Sequence, residues 1–333
     1  MSENRREFGA DLRSVVVHRL RLAPDGKPRP DAPFGRGPFA AHVLARVIDA
    51  SVWAGSRCPP RVADSVAVVG GHLEWALRPA KRRRLAANLG HALGRDPDDK
   101  VVRRCVRREI VNEAHRSAEL LWALGRPDEL LASTEFDGLE RAQKTIVAGN
   151  GMLLTGAHIG GWELATALPD RVFDGRTSAL VADDWLAWAI AHMRTRVGLE
   201  VIYRTEPVSR LGARLRAGET IIVLGDDASG RRPRLAAVEF LDGVAELPTG
   251  VATLSRLYQA PIVGFCVVRV GTRRWRVIVD EPIEPPPLEA RDRDRDTLQA
   301  LADRWSELIR AYPDQWASVY RIGWIGAGPT APA

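Results

Sequence analysis

Cysteine is scarce in this 333-residue chain: Cys58, Cys105 and Cys266 are the only three, and no two of them form a Cys-x-x-Cys pair. That excludes a disulfide framework and a zinc finger, and it points to a reducing compartment. Long apolar runs are missing as well. The best candidate, Phe39 to Gly55, is broken by His42, Arg46 and Asp49 and falls short of the roughly 18 to 20 residues that a membrane-spanning helix needs. Its polar residues come about one helical turn apart, leaving a broad apolar stripe that suits a helix lying on a core or on a membrane surface. No secretory signal pattern is visible; residues 1–37 are polar, rich in Arg, Pro and Gly, and are expected to form a mobile arm. No internal repeat recurs, which argues against a solenoid.

What is present is a chain with 45% hydrophobic residues, enough to bury a large core, and a net charge of +6. The basic balance favours acidic partners such as anionic lipid or phosphorylated ligands. The densest clusters are "RPAKRRR" (Arg78 to Arg84) and "RRPR" (Arg231 to Arg234). Neither is interleaved with aromatics or set in a base-reading module, so no nucleic-acid partner is expected. The run "RDRDRD" from Arg291 alternates in sign and reads as a solvated face near a helix start.

Residues 38–145 carry apolar positions at three- and four-residue spacing and read as helical. From 146 the period changes. Short β-type runs ("MLLTG", "TSALV", "LEVIYR", "TIIVLG", "PIVGFCVVRV") alternate with helical stretches, which predicts an α/β core: a central, mostly parallel twisted sheet flanked by helices. The chain then divides into the arm, one domain over 38–325 (a helical part to 145 and an α/β core over 146–325) and a tail over 326–333.

In such sheets the loops at the carboxyl ends of strands form the ligand crevice. Two strand ends here stop on ionisable groups: "MLLTGA" on His158 and "TIIVLG" on Asp226-Asp227. The stretch "GAHIGGWEL" places His158 and Glu163 five residues apart across Gly160-Gly161. On a continuous helix that spacing would leave the two about 140° out of register. The glycines permit a tight turn and close backbone approach, so that the histidine can lie on a loop and Trp162-Glu163 can open a helix whose N–H groups face a developing oxyanion. A neutral imidazole held by a carboxylate makes a general base. A histidine after a buried strand is also frequently an ordinary core residue, and spacing alone does not separate the two.

"GAHIGGWEL" resembles the His-x4-Asp/Glu motif of the glycerolipid acyltransferase superfamily. More specifically, it is similar to the bacterial lipid A lauroyl/myristoyl acyltransferase family, including its phosphatidylinositol mannoside acyltransferase branch. Further stretches agree in order: "AANLGHALG" (Ala86 to Gly94), "EVIYR" (Glu200 to Arg204), "LGDDASG" (Leu224 to Gly230), "VEFLDGVAELPTGVATLSRLYQAPIV" (Val238 to Val263) and "PDQWASVYRIGW" (Pro313 to Trp324). The family's Phe-Phe-Gly reads Phe240-Leu241-Asp242-Gly243 here, and the N-terminal membrane-spanning helix of some members is not evident.

The resemblance implies a membrane-associated acyltransferase of lipid biosynthesis. It would move a fatty acyl chain from acyl-CoA or acyl-carrier protein to a hydroxyl, or in second place an amine, of a glycolipid, phospholipid or specialised-metabolite acceptor. His158 would be the base. Glu163 would orient it or offset its charge, and Asp226 would complete the dyad or grip the acceptor. Arg204, where not a surface salt bridge, would hold a phosphate or the thioester region, and Gly160, Gly161 and Asp227 would contact substrate. No metal and no cofactor beyond the donor substrate are expected; the motif carries no Ser or Cys nucleophile, so transfer would be direct. The protein would be cytoplasmic, peripheral on the inner face of the membrane. The alternative is a non-catalytic lipid- or acyl-chain-binding protein on the same scaffold.

Overall fold

The computed structural model describes residues 38–149, 151–164, 168, 172, 176–181, 191–194, 199–204, 206–228, 234–317 and 322–326. The expected arm over 1–37 and nearly all of the tail lie outside the described residues.

Four helices come first: α1 (Pro38–Arg57), α2 (Pro60–Leu77), α3 (Pro79–Ala92) and the long α4 (Lys100–Gly125). Proline opens α2 and α3 at a position where its missing N–H leaves no helical bond unmade. Asp99 caps α4 by accepting from the Val101 N–H at 2.6 Å. No helix among the described residues is long and apolar enough to cross a membrane.

The α/β part carries α5 (Pro127–Ala132), β1 (Thr134–Asp137), α6 (Leu139–Val147), β2 (Met152–Gly156), β3 (Thr177–Val181), β4 (Glu200–Tyr203), α7 (Val208–Arg216) and β5 (Thr220–Leu224). Then follow β6 (Leu235–Phe240), β7 (Gly243–Pro248), α8 (Gly250–Tyr258), β8 (Ile262–Gly271), β9 (Arg274–Val279), α9 (Arg293–Ala311) and β10 (Gly323–Ile325). Seven strands form one sheet in the order β1-β9-β8-β2-β5-β3-β4. Every pairing in it is parallel except the β8–β9 hairpin. This is the mostly parallel sheet that the alternating pattern predicted.

The central strands β2, β5 and β8 are buried almost throughout, because helices cover both faces of a parallel sheet. Side chains alternate between two cores. Leu153, Ile221 and Val223 pack with Leu85 and Leu89 of α3 and with Trp305 of α9. Met152, Leu154 and Ile222 pack with Val52 of α1 and with Leu120 and Trp122 of α4 on the other side.

Two features depart from the sequence reading. The helical part over 38–145 contains strand β1, four residues long and paired in parallel with β9 at the sheet edge; four residues are too few to display a period. A separate antiparallel sheet, β10-β7-β6, also forms. Its β6–β7 hairpin turns through Leu241 and Asp242 at φ +51° and +61°, a two-residue turn of the mirror-image type that matches strand twist. The turn positions are Leu241-Asp242, so the Asp242-Gly243 dipeptide in the sequence stands one residue out of step with the turn it would signal.

Candidate active site

The site is built where β2 and β5 end. These neighbours run parallel with Gly156 opposite Leu224, and the Gly225 N–H continues the ladder by donating to the Gly156 carbonyl at 3.1 Å. Two residues beyond each strand end stand His158 and Asp226, so the shared register brings them level. Asp226 is completely buried and engages His158 twice. Its Oδ2 accepts the His158 backbone N–H at 2.9 Å, and its Oδ1 lies 2.5 Å from ring Nδ1. Burial pushes the Asp226 carboxyl up, but the charge of His158 and hydrogen bonds from its ring and backbone pull it down, and the net lies below the ordinary carboxylate range. Asp226 is thus an acceptor that fixes the imidazole with its proton on Nδ1, leaving Nε2 as the ring atom able to take another.

The loop after His158 is held on every side. The His158 carbonyl accepts from the Ala317 N–H at 2.8 Å, the Gly160 N–H donates to the Gln315 carbonyl at 2.7 Å, and the Gly161 N–H donates to the Val267 carbonyl at 2.7 Å. Gly160 has φ +60°, and a Cβ there would collide with the Val267 carbonyl oxygen. The two glycines therefore let the chain pass against β8. The amides of Gly160 and Gly161 are thus both engaged by backbone carbonyls. Trp162 and Glu163 occupy a turn, and the Trp162 ring meets His158 edge to face, 5.1 Å between centroids at 79°.

Of the residues singled out in the sequence, His158, Gly160, Gly161, Glu163, Asp226 and Asp227 gather at this edge. Glu163 is half-buried in its turn, and Asp227 is half-buried beside Asp226. The carboxylate on Nδ1 is that of Asp226. Arg204 ends β4, two strands along the same edge, with its side chain exposed and its N–H donating to the Val181 carbonyl at 2.9 Å.

Sequence reasoning assigned no role to Arg116, whose guanidinium donates to the Gly160 carbonyl at 3.2 Å and lies 4.2 Å from the centre of the Trp162 ring. It also gave none to Gln315, which pins Gly160 and, through its side chain, the backbone of Arg269. The signal for Gln315 was its place in the "PDQW" block. Arg116 had none, being one of several arginines on α4.

One cluster among the described residues has metal-ligand chemistry: Asp64, His115 and Glu119. Arg269 already sits among them, its Nε 2.8 Å from Glu119 and its Nη2 3.5 Å from Asp64, so a guanidinium fills the place a cation would need. A groove of about 630 Å³ lies at the opposite sheet edge, by the amino ends of β2 and β8, lined by Arg141, Lys144, Glu281 and Pro285; the dyad is not part of it.

No curated protein sequence matches the chain. Among solved structures it is similar to the crystal structure of the 1-acyl-sn-glycerophosphate (LPA) acyltransferase, PlsC, from Thermotoga maritima, at 12% identity and a TM-score of 0.35, over 76% of this chain and 98% of that one. The model of the family described as bacterial lipid A biosynthesis acyltransferase matches residues 45–321. That match spans most of the sequence and both halves of the site: the chain belongs to the bacterial lipid A biosynthesis acyltransferase family, and it is a lipid acyltransferase.

Proposed function

We propose that the protein transfers a fatty acyl chain from acyl-CoA or acyl-carrier protein directly to a hydroxyl of a glycolipid or phospholipid acceptor, with His158 as general base. The observation that carries this reading is the His158–Asp226 pair at the carboxyl ends of two adjacent parallel strands. As the acceptor oxygen attacks the thioester carbonyl, Nε2 takes its proton; the imidazolium that forms is stabilised by the Asp226 carboxylate. Collapse of the tetrahedral intermediate breaks the C–S bond, and the leaving thiolate takes the proton back. Glu163 adds negative charge on the same loop. Arg204 and Asp227, along the same edge, contact the donor phosphates or the acceptor. No metal or further cofactor enters these steps.

Surface chemistry supports a peripheral position on the inner face of the membrane. On α2, Val62, Val66, Val69, Leu73 and Leu77 form a stripe at three- and four-residue spacing, each half or more exposed. Exposed Arg61 and Arg78 stand beside its two ends in the chain, and exposed Arg83 and Arg84 follow on α3. An apolar helix face with cations beside its ends suits an anionic bilayer.

The test is acyl transfer by purified protein, with labelled acyl-CoA and acyl-carrier protein offered against a panel of glycolipid and phospholipid acceptors. His158→Ala should abolish product at unchanged fold, and Glu163→Gln should lower turnover strongly. Near wild-type turnover by folded His158→Ala would remove His158 from the chemistry.

A further inference from the structure

Arg116 stands out as a half-buried cation that no carboxylate among the described residues pairs with; its contacts are the Gly160 carbonyl and the Trp162 face. Arg269, which lines the same small cleft beside Gly160 and Gly161, is by contrast neutralised by Glu119 and Asp64. A carboxyl that feels the charge of Arg116 is Glu109, two turns earlier on α4, which is completely buried with neither oxygen hydrogen-bonded among the described residues. Burial pushes Glu109 up to about 8, so at neutral pH it is mostly protonated and adds little negative charge opposite the guanidinium. A surface arginine would be satisfied by water or a carboxylate. This one is aimed into the loop behind the base.

The contacts form a chain. The guanidinium holds Gly160 from one side while the Gln315 carbonyl holds its N–H from the other. It also stacks on Trp162, and the Trp162 ring bears edge to face on His158. Asp226 fixes the imidazole through Nδ1; Trp162 limits its remaining freedom to tilt, and Arg116 limits Trp162.

We propose that Arg116 is a positioning residue for His158, acting through the Gly160 carbonyl and the Trp162 ring to hold the imidazole at its attack angle. This rests on the general-base reading above. A guanidinium suits the task because it can donate in its plane to a carbonyl and stack flat on an indole, which an ammonium cannot do.

The experiment compares wild type, Arg116→Met, Trp162→Leu, the double variant and His158→Ala in one acyl-transfer assay. Folding is checked by circular dichroism and thermal melting. Arg116→Met is expected to lower kcat about 10- to 100-fold, the scale of a misplaced catalytic group, with KM for donor and acceptor changed less than about twofold. The double variant should be no slower than the slower single one, because both substitutions break one chain of contacts. Added guanidinium ion should restore part of the kcat of Arg116→Met. A kcat within about twofold of wild type, or losses that multiply in the double variant, overturns the proposal. If Arg116→Met does not fold, Arg116→Lys takes its place: a loss of kcat of about tenfold or more at unchanged KM is expected, and wild-type kcat overturns it. An inert wild type or an active His158→Ala would instead overturn the general-base reading, so the two failures are separable.

Discussion

Glu109 gives the chain a built-in dependence of stability on pH. Its carboxyl has no exposure and, among the described residues, no hydrogen-bond partner on either oxygen, and burial raises its pKa from 4.5 to about 8 against the opposing charge of Arg116. Below pH 4.5 the group is protonated in both folded and unfolded chains and contributes no difference. Between 4.5 and 8 the unfolded chain ionises it while the fold keeps the proton. Unfolding therefore releases a proton, and stability falls as pH rises; above 8 the loss is complete. With a tenfold change in the ionisation equilibrium per pH unit, a gap of about three and a half units amounts to about 5 kcal/mol, of which about 3 kcal/mol has been lost by pH 7. Glu109→Gln keeps the shape and does not titrate. Urea unfolding followed by tryptophan fluorescence at pH 5, 6, 7 and 8 should show the variant gaining on wild type with each step. Parallel curves for the two proteins over that range would show that Glu109 ionises as it does in water, and would refute the assignment of a water-free site beside Arg116.

Asp226→Asn keeps the volume and removes the charge that stabilises an imidazolium on His158. Turnover should fall about 10²- to 10⁴-fold in the transfer assay, with KM little changed. Because the Asp226 carboxyl is held below its ordinary range, the stabilisation it gives is present above its unfolded pKa and is lost as pH falls through its folded value. The stability gap between wild type and Asp226→Asn, read by urea unfolding, should therefore close on acidification below about pH 4. Gly160→Ala forces a left-handed residue, at a cost of about 1–2 kcal/mol, and drives a methyl group into the Val267 carbonyl. It should lower the melting temperature and abolish transfer together. Gly161→Ala meets the end of the Leu164 side chain at 2.8 Å with an ordinary φ, so thermal melting should show a smaller loss than at Gly160.

The sheet was legible because its central strands are buried on both faces, and continuous runs such as "MLLTG", "TIIVL" and "IVGFCVV" announce that burial directly. The glycine pair was legible for a related reason: Gly160 takes a backbone conformation and a closeness to β8 that other residues resist. What the Gly160 and Gly161 amides bind was not legible, because their acceptors, the carbonyls of Gln315 and Val267, come from segments more than 100 residues away. No local pattern says which distant carbonyl an N–H will find. β1 and the β6–β7 hairpin escaped for the opposite reason: they are short or turned by unusual residues, and they exist because neighbouring strands supply their partners.

The histidine's partner shows the same division at the scale of one atom. Spacing within the motif draws attention to Glu163, five residues on, yet the carboxylate that engages Nδ1 is Asp226, 68 residues on. What joins His158 to Asp226 is register. Gly156 pairs with Leu224, and each strand runs two residues further, so both side chains leave the sheet at the same level. A slip of one residue between β2 and β5 would turn Asp226 to the opposite face and put Gly225 or Asp227 in its place. The burial of Ile221, Ile222 and Val223 between two cores forbids that slip. The packing that stabilises the middle of β5 thus also sets the geometry of the dyad at its end.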